Sequence, residues 1–146
     1  MIPSVSLRSV GDDDVPALIS LWQACDLTRP WNDPAADIAK ARKSGEAEII
    51  VAISEAGRLV GSVMVGHEGH RAWMYYVAVD PALQGRGLGR HLVQAAEAWA
   101  AGRGMEKMHL LIRPENGRVR AFYEAAGYGE QKRVLMARWL DGRPLD

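Results

Sequence analysis

Residues 84–89 read Gln84-Gly85-Arg86-Gly87-Leu88-Gly89, three glycines alternating with other residues. They follow the apolar run Val77-Ala78-Val79 and lead into Leu88, Leu92, Ala95, Ala96 and Trp99 at helical spacing. Glycine has no Cβ, so a ligand can approach its main chain closely and a left-handed turn costs it little. The first N–H groups of a helix lack intrahelical partners, and the helix dipole favours an anion there. The stretch therefore reads in one of two ways. It is a phosphate cradle, with Arg86 and Arg90 adding charge beside it, or it is a tight strand-to-helix turn with no ligand. Two other phosphate motifs fail on spacing. GxGxxG would need glycine where Arg90 stands, and Gly-Lys-Ser/Thr is absent.

Other residues invite chemistry with less support. His67 and His70 stand three apart around Glu68 and Gly69. A metal site would need more convergent ligands, so none is expected. Histidine is a residue type suited to proton transfer, but His70 falls in a turn. Cys25 is the lone cysteine and has no histidine beside it, so it reads as a small core residue at a helix end. The segment Cys25-Asp-Leu-Thr-Arg-Pro-Trp-Asn-Asp-Pro34 is unusually rich for a connection, holding Asp26, Arg29, Trp31 and Asn32.

These residues need elements to place them. Val5–Arg8 alternates and predicts a short strand. Asp12–Asp14 supplies helix-start chemistry for an amphipathic helix over 13–25. Asp33-Pro34 predicts a second helix, to about Ser44. Ile49–Ile53 and Leu59–Val65 flank a turn at Glu55–Gly57 and read as a hairpin. Gly66–Arg71 is a second turn. Trp73–Val79 is the most β-favouring stretch, with Trp73 and Tyr75 on one face and Tyr76 on the other. A helix over Gly87–Arg103, a strand over Met108–Ile112 and a helix over Asn116–Ala126 follow, the last closed by Gly127. Tyr128–Trp139 is expected to hold one or two more strands. The order predicts an α/β (α+β) domain over 1–146, built on a mostly antiparallel sheet.

The chain of 146 residues is 48% hydrophobic, enough for a real core. Lys+Arg and Asp+Glu both number 18, which argues against gripping nucleic acid by bulk charge. A single cysteine removes any reliance on an oxidising compartment. No apolar run approaches membrane-spanning length, and the N-terminus lacks signal-peptide character. A cytoplasmic location with no membrane partner is the expectation.

Two motifs then carry a resemblance. Gln84-x-x-Gly87-x-Gly89 behind Val77-Ala78-Val79-Asp80-Pro81 resembles the acyl-CoA-binding motif of the GNAT N-acetyltransferase superfamily. Asn116, Ala121-Phe122-Tyr123-Glu124 and Gly127-Tyr128 resemble its second motif. The element order matches that fold along essentially the whole chain. The 25–34 segment, with Gly69-His70-Arg71 and Tyr75-Tyr76, is similar to small YpeA-like bacterial acetyltransferases. The resemblance implies the GNAT fold, a sheet of about six or seven strands flanked by about four helices. It implies acetyl-CoA as co-substrate, with the thioester oriented by main-chain groups of Val77, Ala78 and Val79. The pyrophosphate would lie on Gln84, Gly85, Arg86, Gly87, Leu88, Gly89 and Arg90, and Asn116 and Tyr123 would complete the cofactor set. It implies Tyr123 as general acid, since a phenol is protonated at neutral pH.

The glutamate base that many relatives carry on the fifth strand is replaced here by Leu111. His70, Glu68 or Asp26 could take its place, or solvent could. The resemblance further implies an acceptor pocket around the first two helices, with Asp26, Arg29, Trp31, Asn32 and Tyr75 as candidates. The expected activity is acetyl transfer to a primary amine of a small molecule or a protein. The alternative is a non-catalytic module that binds acyl-CoA. A homodimer is possible for such a fold.

Overall fold

The computed structural model describes residues 3–145. Most elements lie where the side-chain pattern puts them. Strand β1 is Val5–Ser9, β2 Ala47–Ser54, β3 Leu59–His67, β4 Ala72–Val79 and β5 Met108–His109. Helix α1 is Val15–Ala24, α2 Pro34–Lys43, α3 Leu88–Gly102 and α4 Gly117–Ala125. The start of α1 is fixed by Asp14, whose carboxylate accepts from the Gly11 N–H at 2.7 Å and pairs with Arg8 at 2.6 Å. Helix α2 opens as expected. Asp33 accepts from the N–H groups of Ala35 and Ala36, and Pro34 occupies the first turn, where its missing donor costs nothing.

The chain forms two compact units, Met1–Leu111 and Ile112–Asp146. The first holds a five-stranded mixed sheet in the order β1-β2-β3-β4-β5. The first four strands pair antiparallel in sequence, and β5 joins β4 in parallel. Helices cover both faces, as neighbouring residues of β3 show. The Ser62 hydroxyl accepts from the Trp22 indole of α1. A Cβ on Gly61 would lie 2.9 Å from Leu92 Cδ1 of α3. Successive strand residues point to opposite faces, so α1 and α3 sit on opposite sides of the sheet. Under α1 and α2 lie Leu18, Trp22, Ile38, Ile49 and Val51, all buried. Leu88, Leu92, Val93 and Ala96 form the buried stripe of α3.

The second unit holds α4. The Asn116 side chain accepts from the Val119 N–H at its start. Gly127, at φ +97°, closes it. The Gly127 N–H bonds the Glu124 carbonyl and the Tyr128 N–H bonds the Tyr123 carbonyl, the paired bonds of a glycine helix stop.

Two expectations are corrected. Strand β5 ends at His109 rather than Ile112, because its ladder with β4 stops there. Among the described residues, 128–139 carries no strand, so the sheet has five strands rather than six or seven. Val134, Leu135 and Met136 are apolar but exposed, and a strand is held by a partner rather than by apolar character alone.

Candidate active site

The distinctive feature of the first unit is the far half of β4. Strand β5 pairs with it only at Ala72–Met108 and Trp73–His109. Beyond Trp73, residues 74–79 keep β3 on one side and have no β5 partner on the other. In the same stretch the register against β3 slips. Met64 faces Tyr75 and Ser62 faces Ala78, so Tyr76 and Val77 together oppose Val63. That is a β-bulge. Tyr76 takes φ +53°, a left-handed conformation that strains a bulky side chain by roughly 1–3 kcal/mol. The bulge also overturns the expected alternation. Tyr75 pairs with Met64, which packs on the core under α1 and α2, and Tyr76 stacks on Trp22 of α1 with centroids 3.7 Å apart. Both tyrosines therefore face the same side. The extra residue changes the parity of the strand.

The chain then runs directly into the glycine stretch. The Asp80 side chain accepts from the Ala82 N–H across a short turn, Pro81–Leu83. Gln84 Nε2 donates to the Val79 carbonyl at 3.1 Å, tying the loop to the strand end. Gly85 and Gly87 take φ +80° and +90°. A Cβ on Gly85 would meet no atom within 4 Å, so its glycine answers to backbone conformation and leaves open space outside it. Gly87 is the N-cap of α3 and has no side chain to cap the first-turn N–H groups. Uncapped donors, a left-handed approach and Arg86 and Arg90 alongside fit an anionic group such as a pyrophosphate.

On the α1/α2 side, the Tyr76 hydroxyl donates to Asp37 Oδ2 of α2 at 2.8 Å, and burial with this bond holds that phenol protonated far above the usual range. Cys25 Sγ lies 3.2 Å from the Val79 carbonyl, and burial pushes its thiol up, which suits a hydrogen-bond donor rather than a nucleophile. The 25–34 loop turns largely on itself. Asp26 takes φ +57°. The Arg29 guanidinium donates to the carbonyls of Asp26 and Thr28, both at 2.8 Å, and lies 3.7 Å from the Asp26 carboxylate. The Asn32 N–H bonds the Arg29 carbonyl. Trp31 is half-buried and Tyr75 is 46% exposed.

His70 is exposed in the β3–β4 turn. Glu68 caps that turn, accepting from the N–H groups of His70 and Arg71, and the Arg71 bond first among these holds its carboxyl below the ordinary range. A carboxylate so held is a poorer base. His67 accepts from the Gly69 N–H on Nδ1 and places Nε2 2.8 Å from Glu46. Among the described residues no three His, Cys, Asp or Glu side chains group to hold a metal. Leu111 is exposed. In the second unit Tyr123 is buried, with Phe122 and Tyr128 at ring distances of 4.9 and 5.7 Å. Burial pushes its phenol up to about 12. Asn116 gives its side chain to the start of α4.

Sequence reasoning brought β4 and the glycine stretch together correctly in order, but it missed Trp22, Ser62 and Asp37. Trp22 reads from its spacing as an ordinary core residue, and no local signal marks a bulge inside an unbroken β-favouring run.

Comparison with known proteins bears on this geometry. The family model described as "Acetyltransferase (GNAT) family" matches residues 16–128. An acetyltransferase of Pectobacterium atrosepticum is 39% identical over 124 residues, covering 85% of this chain and 87% of that protein. A putative acetyltransferase from Agrobacterium tumefaciens superposes with a TM-score of 0.76 at 28% identity, over 92% of this chain and 99% of the other. The structure of AAC(6')-Iy in complex with a bisubstrate analog, CoA-S-monomethyl-acetylneamine, superposes with a TM-score of 0.79 at 19% identity, over 93% and 98% of the two chains.

Proposed function

The chain belongs to the acetyltransferase (GNAT) family, and from that premise we propose that it transfers an acetyl group from acetyl-CoA to a primary amine by direct attack on the thioester. The observation that carries this reading is the bulged half of β4, open on the β5 side, running straight into the positive-φ glycine turn and the start of α3. One continuous stretch thereby offers main-chain groups to an extended arm and then N–H donors to an anion.

Bound acetyl-CoA supplies an activated acetyl thioester. The main chain of Val77, Ala78 and Val79 would hold the pantetheine arm, and the N–H groups from Gly85 to Arg90 would hold the pyrophosphate. Tyr123 is our general acid. A phenol is protonated throughout the neutral range, so the proton required by the departing sulfur is present. His70 remains the candidate base, since Glu68 is committed to its turn. The acceptor side is assigned to the 25–34 loop and the Tyr75 face. Arg29 is spent on loop carbonyls, which favours Asp26, Trp31, Asn32 and Tyr75 as the contacting groups.

Thermal unfolding with acetyl-CoA, with free CoA and with neither tests the first half. A ligand at one hundred times its Kd stabilises by about 2.7 kcal/mol. Turnover of a panel of primary amines tests the second half. Tyr123→Phe should lower kcat by roughly 10²–10⁴, a far larger effect than on acetyl-CoA affinity. Full activity in that variant removes Tyr123 from the mechanism. A second reading, an acyl-CoA-binding module without turnover, draws on Leu111 standing where relatives carry a base. Acetyl-CoA binding with no turnover of any amine would select it.

A further inference from the structure

Among the described residues, Ser62 is the polar side chain that is fully buried, at 0% exposure in the middle of β3. Its surroundings give it a direction. The Trp22 indole N–H donates to its oxygen at 2.9 Å. The hydroxyl proton then goes to the Tyr76 main-chain carbonyl, also at 2.9 Å. Tyr76 is the residue at φ +53° that makes the bulge. Its side chain is fixed independently, stacked on the same Trp22 and bonded to Asp37. An apolar pair of equal volume would fill this space without removing three polar groups from water, so filling space does not explain the arrangement.

The carbonyl that Ser62 holds belongs to the Tyr76–Val77 peptide. In a trans peptide the C=O and N–H point in opposite directions. Among the described residues no peptide bond is cis. Drawing the Tyr76 carbonyl toward β3 therefore turns the Val77 N–H away from β3. That is the side on which β4 has lost β5 beyond Trp73. We propose that Ser62 is a positioning residue: by holding the Tyr76 carbonyl, it aims the Val77 N–H at the acyl oxygen of bound acetyl-CoA. The inference rests on the acetyl-CoA reading above and adds the residue that orients the donor. Preorganised donors of this kind act because they need not reorient during reaction.

The test needs no acceptor amine. Acetyl-CoA labelled with ¹³C at the thioester carbonyl is bound to the protein and its carbonyl stretch is read by infrared difference spectroscopy, with affinity measured in parallel by calorimetry. In the wild-type protein the stretch should move to lower wavenumber, the signature of a hydrogen bond to that oxygen. In Ser62→Ala the shift should be lost while affinity for free CoA, which has no acyl oxygen, is retained. Ser62→Thr keeps the hydroxyl and should keep the shift. Val65→Ala, buried further along β3 and paired with Met74 outside the bulge, serves as a control for general loss of stability and should also keep it. If Ser62→Ala does not fold, Ser62→Cys replaces it, and its weaker donor should give a smaller shift. A full shift in Ser62→Ala or Ser62→Cys, or no shift in wild type despite binding, overturns the role of Ser62 and leaves acetyl-CoA binding standing. Absence of binding in the wild-type protein overturns the acetyl-CoA reading, and this inference with it.

Discussion

The far half of β4 and the loop joining α1 to α2 lie on the same unit and treat their polar groups in opposite ways. In β4 the side chains of Met74, Tyr76 and Ala78 look inward, and Tyr75 is the exposed one. Tyr76 stacks on Trp22 and bonds Asp37, and the buried Ser62 holds the main chain. Along the edge that β5 leaves, this half of the strand offers backbone, and the glycines after it continue the pattern. In the loop the backbone and one long side chain are consumed internally. Arg29 ties Asp26 and Thr28, Asn32 closes on Arg29, and Asp33 starts α2. What the loop can offer outward is the remaining side chains. A backbone site binds any molecule with the right shared chemistry, whereas a side-chain site changes with each substitution. The first suits a co-substrate common to a family, the second an acceptor particular to one member.

The largest test of this division is Trp22→Ala. It empties a fully buried site and leaves Ser62 without its donor, so it should cost about 3–5 kcal/mol in denaturant unfolding. Acetyl-CoA affinity should fall further than in an equally destabilised variant elsewhere, because the bulge loses its support. Gly87→Val comes next. A β-branched residue at φ +90° at the N-cap of α3 should weaken acetyl-CoA binding about tenfold or more, equivalent to roughly 1.4 kcal/mol, by calorimetry. Unchanged affinity would mean that the glycines serve only the turn.

Alkaline titration extends the comparison to a side chain whose chemistry is set by burial. Tyr123 has a folded-state pKa raised to about 12 against an ordinary value near ~10. Its contribution to stability is therefore present below the ordinary value and is lost as pH rises through the folded one. Unfolding followed against pH from 9 to 12 should be less steep in Tyr123→Phe than in wild type. Arg29→Ala is the smallest effect. Two carbonyl bonds and a weak ion pair should be worth about 1–2 kcal/mol, while acetyl-CoA affinity stays put. A loss of acetyl-CoA binding in Arg29→Ala comparable to that in Gly87→Val would break the division between the two regions.

The sequence alone determined the elements and their order, because periodicity, caps and turns are local. Asp33-Pro34, the alternation of β2 and β3, the apolar stripe of α3 and the Asn116 and Gly127 ends of α4 were all legible for that reason. The glycine stretch was legible too, since positive φ selects glycine by residue type. The tertiary structure alone decided where a strand ends and which way a residue faces. The extent of β5, the half of β4 left open on the β5 side and the lack of a strand in 128–139 depend on partners distant in the chain. The bulge at Tyr76 did as well. It breaks the two-residue period inside a run that looks regular, and Trp22 and Ser62, forty positions apart, are what hold it. Local pattern fixes what each segment is, but a buried hydrogen bond between segments fixes what it presents.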